Sequence, residues 1–118
     1  MAYVDGYVLP VPVKNREAYV QLAQLAAGVF RDCGATAVVE TWGDDVPEGK
    51  LTSFTMAVKR QDDEAVVFSW VTWPDKATRD AGMKRFMDDP RMKACDPATM
   101  PFDGQRMIFG GFDVIVSA

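Results

Sequence analysis

Arg79 shares a helical face with Met83, Phe86 and Met87, four, seven and eight positions further on. It also lies near the start of that expected helix, where its charge opposes the macrodipole. A guanidinium so placed calls for an anion. The anion is either a bound ligand or a carboxylate of the chain, with Asp5, Glu40 and Asp103 as candidates. Left buried without a partner, such a charge would cost roughly 3–5 kcal/mol. Asp5 alternates with Tyr3 and Tyr7 on one side of a strand, while Val4, Gly6 and Val8 take the other. A carboxylate between two tyrosines can act as a base or an acceptor in a cavity, or it can face water at the strand end. Glu40, Asp44 and Asp45 surround Trp42. Clustered carboxylates bind divalent cations or raise one another's pKa, but GDDVPEGK also has the composition of a plain acidic turn and lacks EF-hand spacing. Asp88-Asp89-Pro90-Arg91 and Phe102-Asp103-Gly104-Gln105-Arg106 form two compact Asp/Arg groups that can pair with each other at a subunit seam.

The chain contains no histidine. That removes His-dependent triads, the 2-His-1-carboxylate iron site, histidine-bound zinc and proximal-His haem. Acid–base chemistry would fall to Asp, Glu, Tyr, Lys or Cys, and an all-carboxylate Mg²⁺ or Ca²⁺ site survives the exclusion. Ser53 and Ser69 have no activating base in any motif. Gly110-Gly111 lacks phosphate-loop spacing. Cys33 and Cys95 form neither a CxxC pair nor a metal spacing and read as reduced structural thiols. No cofactor is implied by the residues.

The elements that must position these groups follow from periodicity. Tyr3 to Val11 alternates and reads as a strand closed by Pro10 and Pro12. Asn15 caps a helix with Tyr19, Leu22, Ala23, Ala26, Val29, Phe30 and Cys33 at helical spacing, and Gly34 stops it. Ala35 to Trp42 is a second strand. Leu51 to Lys59 is expected to be extended, and Gln61-Asp62-Asp63 to turn. Ala65 to Trp73 is a third strand, apolar on both sides: Val66, Phe68 and Trp70 one way, Val67, Val71 and Trp73 the other. A second long helix follows from the Asp75 cap to about Asp88, and Pro90 to Cys95 adds a short turn. Met107 to Ser117 is a fourth strand, in which Gly110-Gly111 marks a bulge or a close backbone approach.

The 118 residues have the length of one domain, and 48% hydrophobic with 25% charged residues is a globular composition. The element order is the split βαβ pattern, an α+β, ferredoxin-like fold. Right-handed crossovers place both long helices on one sheet face. The other face has no local cover, although the third strand is apolar toward it. A second copy, sheet against sheet, is the expected cover, so a homodimer is anticipated. The net charge of −4 argues against nucleic acid as a partner. No apolar run approaches the ~20 residues of a membrane helix. The N-terminus has no basic region before an apolar stretch, so the expected compartment is the cytoplasm.

Taken together, YVDGYVLPVP, VETWGDDVPEGKLTSF, VVFSW, RDAGMKRFMDDPRM and MPFDGQRMIFGGF resemble the YbaA-like family of uncharacterised bacterial proteins. The resemblance spans nearly the whole chain and implies the dimeric α/β-barrel superfamily, with ferredoxin-like subunits. That superfamily includes cofactor-free monooxygenases, muconolactone-type isomerases, haem-handling enzymes and small-ligand-binding regulators. The resemblance carries no catalytic residues over, and the missing histidine speaks against haem ligation. The expectation is therefore a pocket between sheet and helices for a small, partly aromatic or anionic molecule. Asp5, Tyr7, Trp42, Ser69, Arg79 and Arg106 are its candidate lining. The alternatives are a non-catalytic structural or stress-associated homodimer and an isomerase- or monooxygenase-like enzyme.

Overall fold

Strand β1 (Tyr3–Pro12) lies between β3 (Glu64–Trp73) and β4 (Ile108–Asp113), and β2 (Ala37–Trp42) pairs with the far side of β3. All three pairings are antiparallel, in the order β2-β3-β1-β4. In this computed structural model, which describes residues 2–118, α1 (Arg16–Asp32) and α3 (Lys76–Asp88) cover one face of the sheet. This is the ferredoxin-like α+β fold.

The odd-numbered residues of β1 and β3 face the helices. Tyr3, Val71 and Trp73 pack with Phe30 and Ala35 at one end, and Leu9, Val11 and Val67 pack with Tyr19 at the other. Phe30 and Phe86 stack at 3.8 Å between ring centroids and so join α1 to α3. Gly34 adopts φ +111° and turns the chain out of α1, as its position anticipates. Asn15 precedes α1, but its side chain donates to the Pro101 carbonyl instead of capping the helix. Asp75 caps α3 by accepting from the Thr78 amide at 2.7 Å.

Two elements depart from expectation. Phe54–Ala57 is a single helical turn, α2, not extended chain. The Ser53 hydroxyl accepts from the Met56 amide and caps it. This turn lies on the helix-free face, where Val58 packs with Val8 and Val66. The fourth strand ends at Asp113, not Ser117, because Asp113 already pairs with Tyr3 and only the Val114 amide, bonded to the Ala2 carbonyl, extends the contact. β1 itself begins at Tyr3. β4 pairs with β1 in unbroken register, so of the two readings of Gly110-Gly111 it is the close approach, not the bulge, that holds. A Cβ on Gly111 would collide with the Tyr3 ring and hydroxyl and with the Arg79 guanidinium, so the glycine serves close approach.

The helix-free face carries Phe68 and Trp70 of β3 and Ile108 and Phe112 of β4. Phe68, Ile108 and Phe112 are exposed. α2 roofs the end beside Val8 and Val66, and its Phe54 ring packs edge-on against Phe68 at 5.9 Å between centroids.

Candidate functional site

The helix-facing side of the sheet holds a row of polar and aromatic groups. Glu40 on β2 stands opposite Ser69 on β3, Ser69 opposite Tyr7 on β1, and Tyr7 opposite Phe109 on β4. Strand alternation puts all four on one side. Tyr19, one turn into α1, reaches down from above, and its hydroxyl donates to Glu40 Oε1 at 2.6 Å. Burial pushes the Glu40 carboxyl above the usual carboxylate range, while hydrogen bonds from Tyr19 and Ser69 pull the other way. Protein crowds this carboxyl without sealing it, since the residue as a whole remains exposed. Burial pushes the Tyr7 hydroxyl up to about 12, with the nearby Asp5 and Glu40 adding to the rise. The Tyr19 hydroxyl rises further, through burial and its bond to Glu40. Neither phenol is set to lose a proton near neutrality.

A groove of about 290 Å³ opens here between α1 and β2, lined by Tyr19, Val20, Ala23, Gln24, Ala27, Val38 and Glu40. A cleft of about 370 Å³ lies at the other end of the sheet, beneath the acidic loop, with Trp42, Asp44, Glu48, Thr55, Arg60 and Glu64 in its wall. Arg16 covers the Trp42 ring there at 5.3 Å.

The other candidate residues are engaged with one another. Asp5 is 3% exposed. It accepts from Arg79 Nη2 at 2.7 Å, from Arg79 Nε at 3.1 and 3.2 Å, and from Trp73 Nε1 at 2.9 Å. Arg79 Nη1 donates to Asp80 at 3.1 Å, and the guanidinium lies 5.2 Å from the Tyr3 ring centroid. Of the three carboxylates anticipated for Arg79, Asp5 is its partner; Glu40 and Asp103 bond elsewhere. Neither the groove nor the cleft includes Asp5 or Arg79.

Arg106 clamps the opposite end. Its Nη1 and Nη2 donate to the two oxygens of buried Glu64 at 2.7 and 2.6 Å, and its Nε donates to Asp103 at 2.9 Å. Nη1 also donates to the Lys59 carbonyl at 2.9 Å. Lys59 holds φ +50°, an uncommon conformation for a side-chain-bearing residue, at the exit of α2. The clamp therefore fixes the segment that roofs part of the helix-free face. The two Asp/Arg blocks do not pair with each other. Arg91 bonds Asp89 and Asp32, and Arg106 bonds Glu64 and Asp103. Among the described residues, no three Asp, Glu or Cys side chains converge as a metal cage, and every buried side-chain nitrogen or oxygen has a partner.

Tyr7 and Ser69 thus meet at one row. Asp5 and Arg79 form a closed pair beside it, and Trp42 and Arg106 belong to the far end. Tyr19 and Glu40 are the groups that reasoning from sequence did not bring together. The signal was present, since alternation from Val38 through Trp42 puts Glu40 on the core side.

Residues 2–104 match a family described as "Protein of unknown function (DUF1428)". The chain is 51% identical over 116 residues to the uncharacterized protein YbaA of Escherichia coli strain K12, covering 98% of each. Among solved structures it resembles an uncharacterized NIPSNAP domain protein from Burkholderia xenovorans, with TM-score 0.60, 14% identity, and 98% and 97% of the two chains covered. It also resembles a dimeric ferredoxin-like protein from an uncultured marine organism, with TM-score 0.61, 9% identity and 100% of both chains covered. At these identities the two structures speak for the fold.

Proposed function

The chain belongs to the DUF1428 family, and from that premise and its two unlike sheet faces we propose that it acts as a homodimer, sheet against sheet, that binds a small molecule on its helix side. The observation that carries the dimer is β3, which is apolar in both directions while the protein's own helices cover one. The accessible surface is 7668 Å², whereas a compact monomer of 13.0 kDa exposes roughly 6,300 Å². The excess of one chain is larger than the roughly 800 Å² that a standard interface removes from each partner. The chain is also flat, 38 × 37 × 20 Å. A twin laid on the broad bare face would bury Phe68, Trp70, Ile108 and Phe112. Similarity to a protein described as dimeric supports a homodimer.

With the sheet faces joined, the helix layers point outward and the α1–β2 groove stays open. The closed Asp5–Arg79 and Glu64–Arg106 pairs leave neither guanidinium to a ligand, so the reading rests on the groove. The same pairs also suit a purely structural homodimer, and ligand occupancy of the groove separates the two readings. The dimer is tested by light scattering behind size exclusion over a wide dilution range. The unmodified chain should elute at twice its monomer mass. Phe68→Glu and Phe112→Glu should halve that mass, while Met87→Glu, on exposed α3 surface, should not. A monomer at all concentrations, or a dimer indifferent to both face variants, refutes the arrangement.

A further inference from the structure

We propose that the groove between α1 and β2 receives a small molecule carrying a protonated amine, with Glu40 as its counter-ion. This rests on the small-molecule reading above and names the ligand class. The walls are apolar, from Val20, Ala23, Ala27 and Val38. The polar side chains in its lining are Gln24, Glu40 and Tyr19, whose hydroxyl is bonded to the Glu40 carboxylate. Among the described residues, no Lys or Arg lines the groove and Glu40 takes part in no ion pair. It differs in this from Asp5 and Glu64, the carboxylates that face Arg79 and Arg106.

A carboxylate pressed between a helix and a sheet loses part of its hydration. Burial raises its proton affinity, while hydrogen bonds from Tyr19 and Ser69 oppose the rise. An ammonium group would restore a favourable partner, and its carbon skeleton would cover Ala23, Ala27 and Val38. A carboxylate ligand would be repelled. The anion expected from Arg79 is not recruited there, because Asp5 and Asp80 already occupy that guanidinium. About 290 Å³ lies near the low end of small-molecule pockets, ~300–1,000 Å³, so the amine is short and compact.

Three probes with one carbon skeleton test this: isobutylammonium, isobutanol and isobutyrate. Each is titrated into the intact protein at pH 7 and fixed protein concentration, and backbone amide shifts of Ala23, Ala27 and Val38 are followed. The ammonium should bind about tenfold more tightly than the alcohol, and isobutyrate should not compete. At ten times its Kd it should raise the Tm by about 4–6 °C. Glu40→Gln keeps an acceptor for Tyr19, so the variant should fold and bind the ammonium and the alcohol equally. Equal binding of the ammonium and the alcohol by the unmodified protein overturns the amine assignment but leaves the groove as a site. A preference that survives Glu40→Gln overturns the role of Glu40. If no probe moves the groove amides, the small-molecule reading falls as well.

Discussion

Removing the Arg79 guanidinium tests whether it is a structural partner of Asp5 or a group held ready for ligand. In Arg79→Met the apolar stem remains and only the charge and its donors go. Asp5 then keeps one hydrogen bond, from Trp73 Nε1, and loses both Nε and Nη2 of Arg79. The Asp5 side chain is 4% exposed and that of Arg79 is 24% exposed. A fully buried pair broken on one side costs about 3–5 kcal/mol. Because water reaches part of Arg79, the expected loss here is about 2–4 kcal/mol. Asp5→Asn preserves an acceptor for Trp73 and removes the charge. The double variant Asp5→Asn/Arg79→Met should therefore recover much of the loss, with a coupling of at least about 1.5 kcal/mol. The assay is equilibrium unfolding in urea for all four proteins, at one protein concentration because a dimer's stability depends on it. A loss below about 1 kcal/mol for Arg79→Met, or strict additivity in the double variant, would refute the closed-pair account.

Two further outcomes follow from the packing and the charges. Gly82→Ala should destabilise by about 1–3 kcal/mol in the same assay, because its Cβ would stand 2.5 Å from both the Cys33 carbonyl oxygen and the Trp73 ring; a neutral result would mean that α3 can move off the sheet. On acidification, Arg106 holds the Glu64 carboxyl below the usual range, so its contribution is present above the ordinary Glu pKa near ~4.3 and is lost as pH falls through the depressed value. Glu40 has the opposite sign: its pKa is raised, so its contribution is complete below ~4.3 and disappears as pH rises through the elevated value. Unfolding across pH 3–7 should therefore show Glu64→Gln with a weaker acid-side decline and Glu40→Gln no less stable at pH 7 than the unmodified chain. The reverse ordering would contradict both assignments.

Local period was enough to read β1, α1 and most of β3 and α3. Each follows from side chains a few residues apart along one element, where alternation or helical spacing specifies which face is buried. Gly34 was legible for the same reason, as a backbone conformation rather than a contact. The bare sheet face followed too, since β3 is apolar on both sides and right-handed crossovers put both long helices on one. The roof over part of it did not, because α2 is four residues long and its cap is a single serine.

Helical spacing put Arg79 where it needed an anion, and the sequence offered three carboxylates without choosing among them. The choice lay in the pairing of β1 with β3 and β4, which brings Asp5 to Arg79 across 74 positions and sets Gly111 beneath both. The end of β4 was decided in the same way, by where β1 begins and not by the apolar residues that continue past Asp113. Tyr19 and Glu40 each belonged to a legible element, but their hydrogen bond depends on how α1 is seated on β2. That seating is set by the packing of Leu9, Val11, Val67 and Tyr19, residues whose side chains are neighbours only once the sheet has closed. The sequence by itself thus determined which side of each element is buried. Tertiary structure decided which charges neutralise one another and, among the described residues, left Glu40 outside the ion pairs, because charge pairing depends on distances that only the packed elements define.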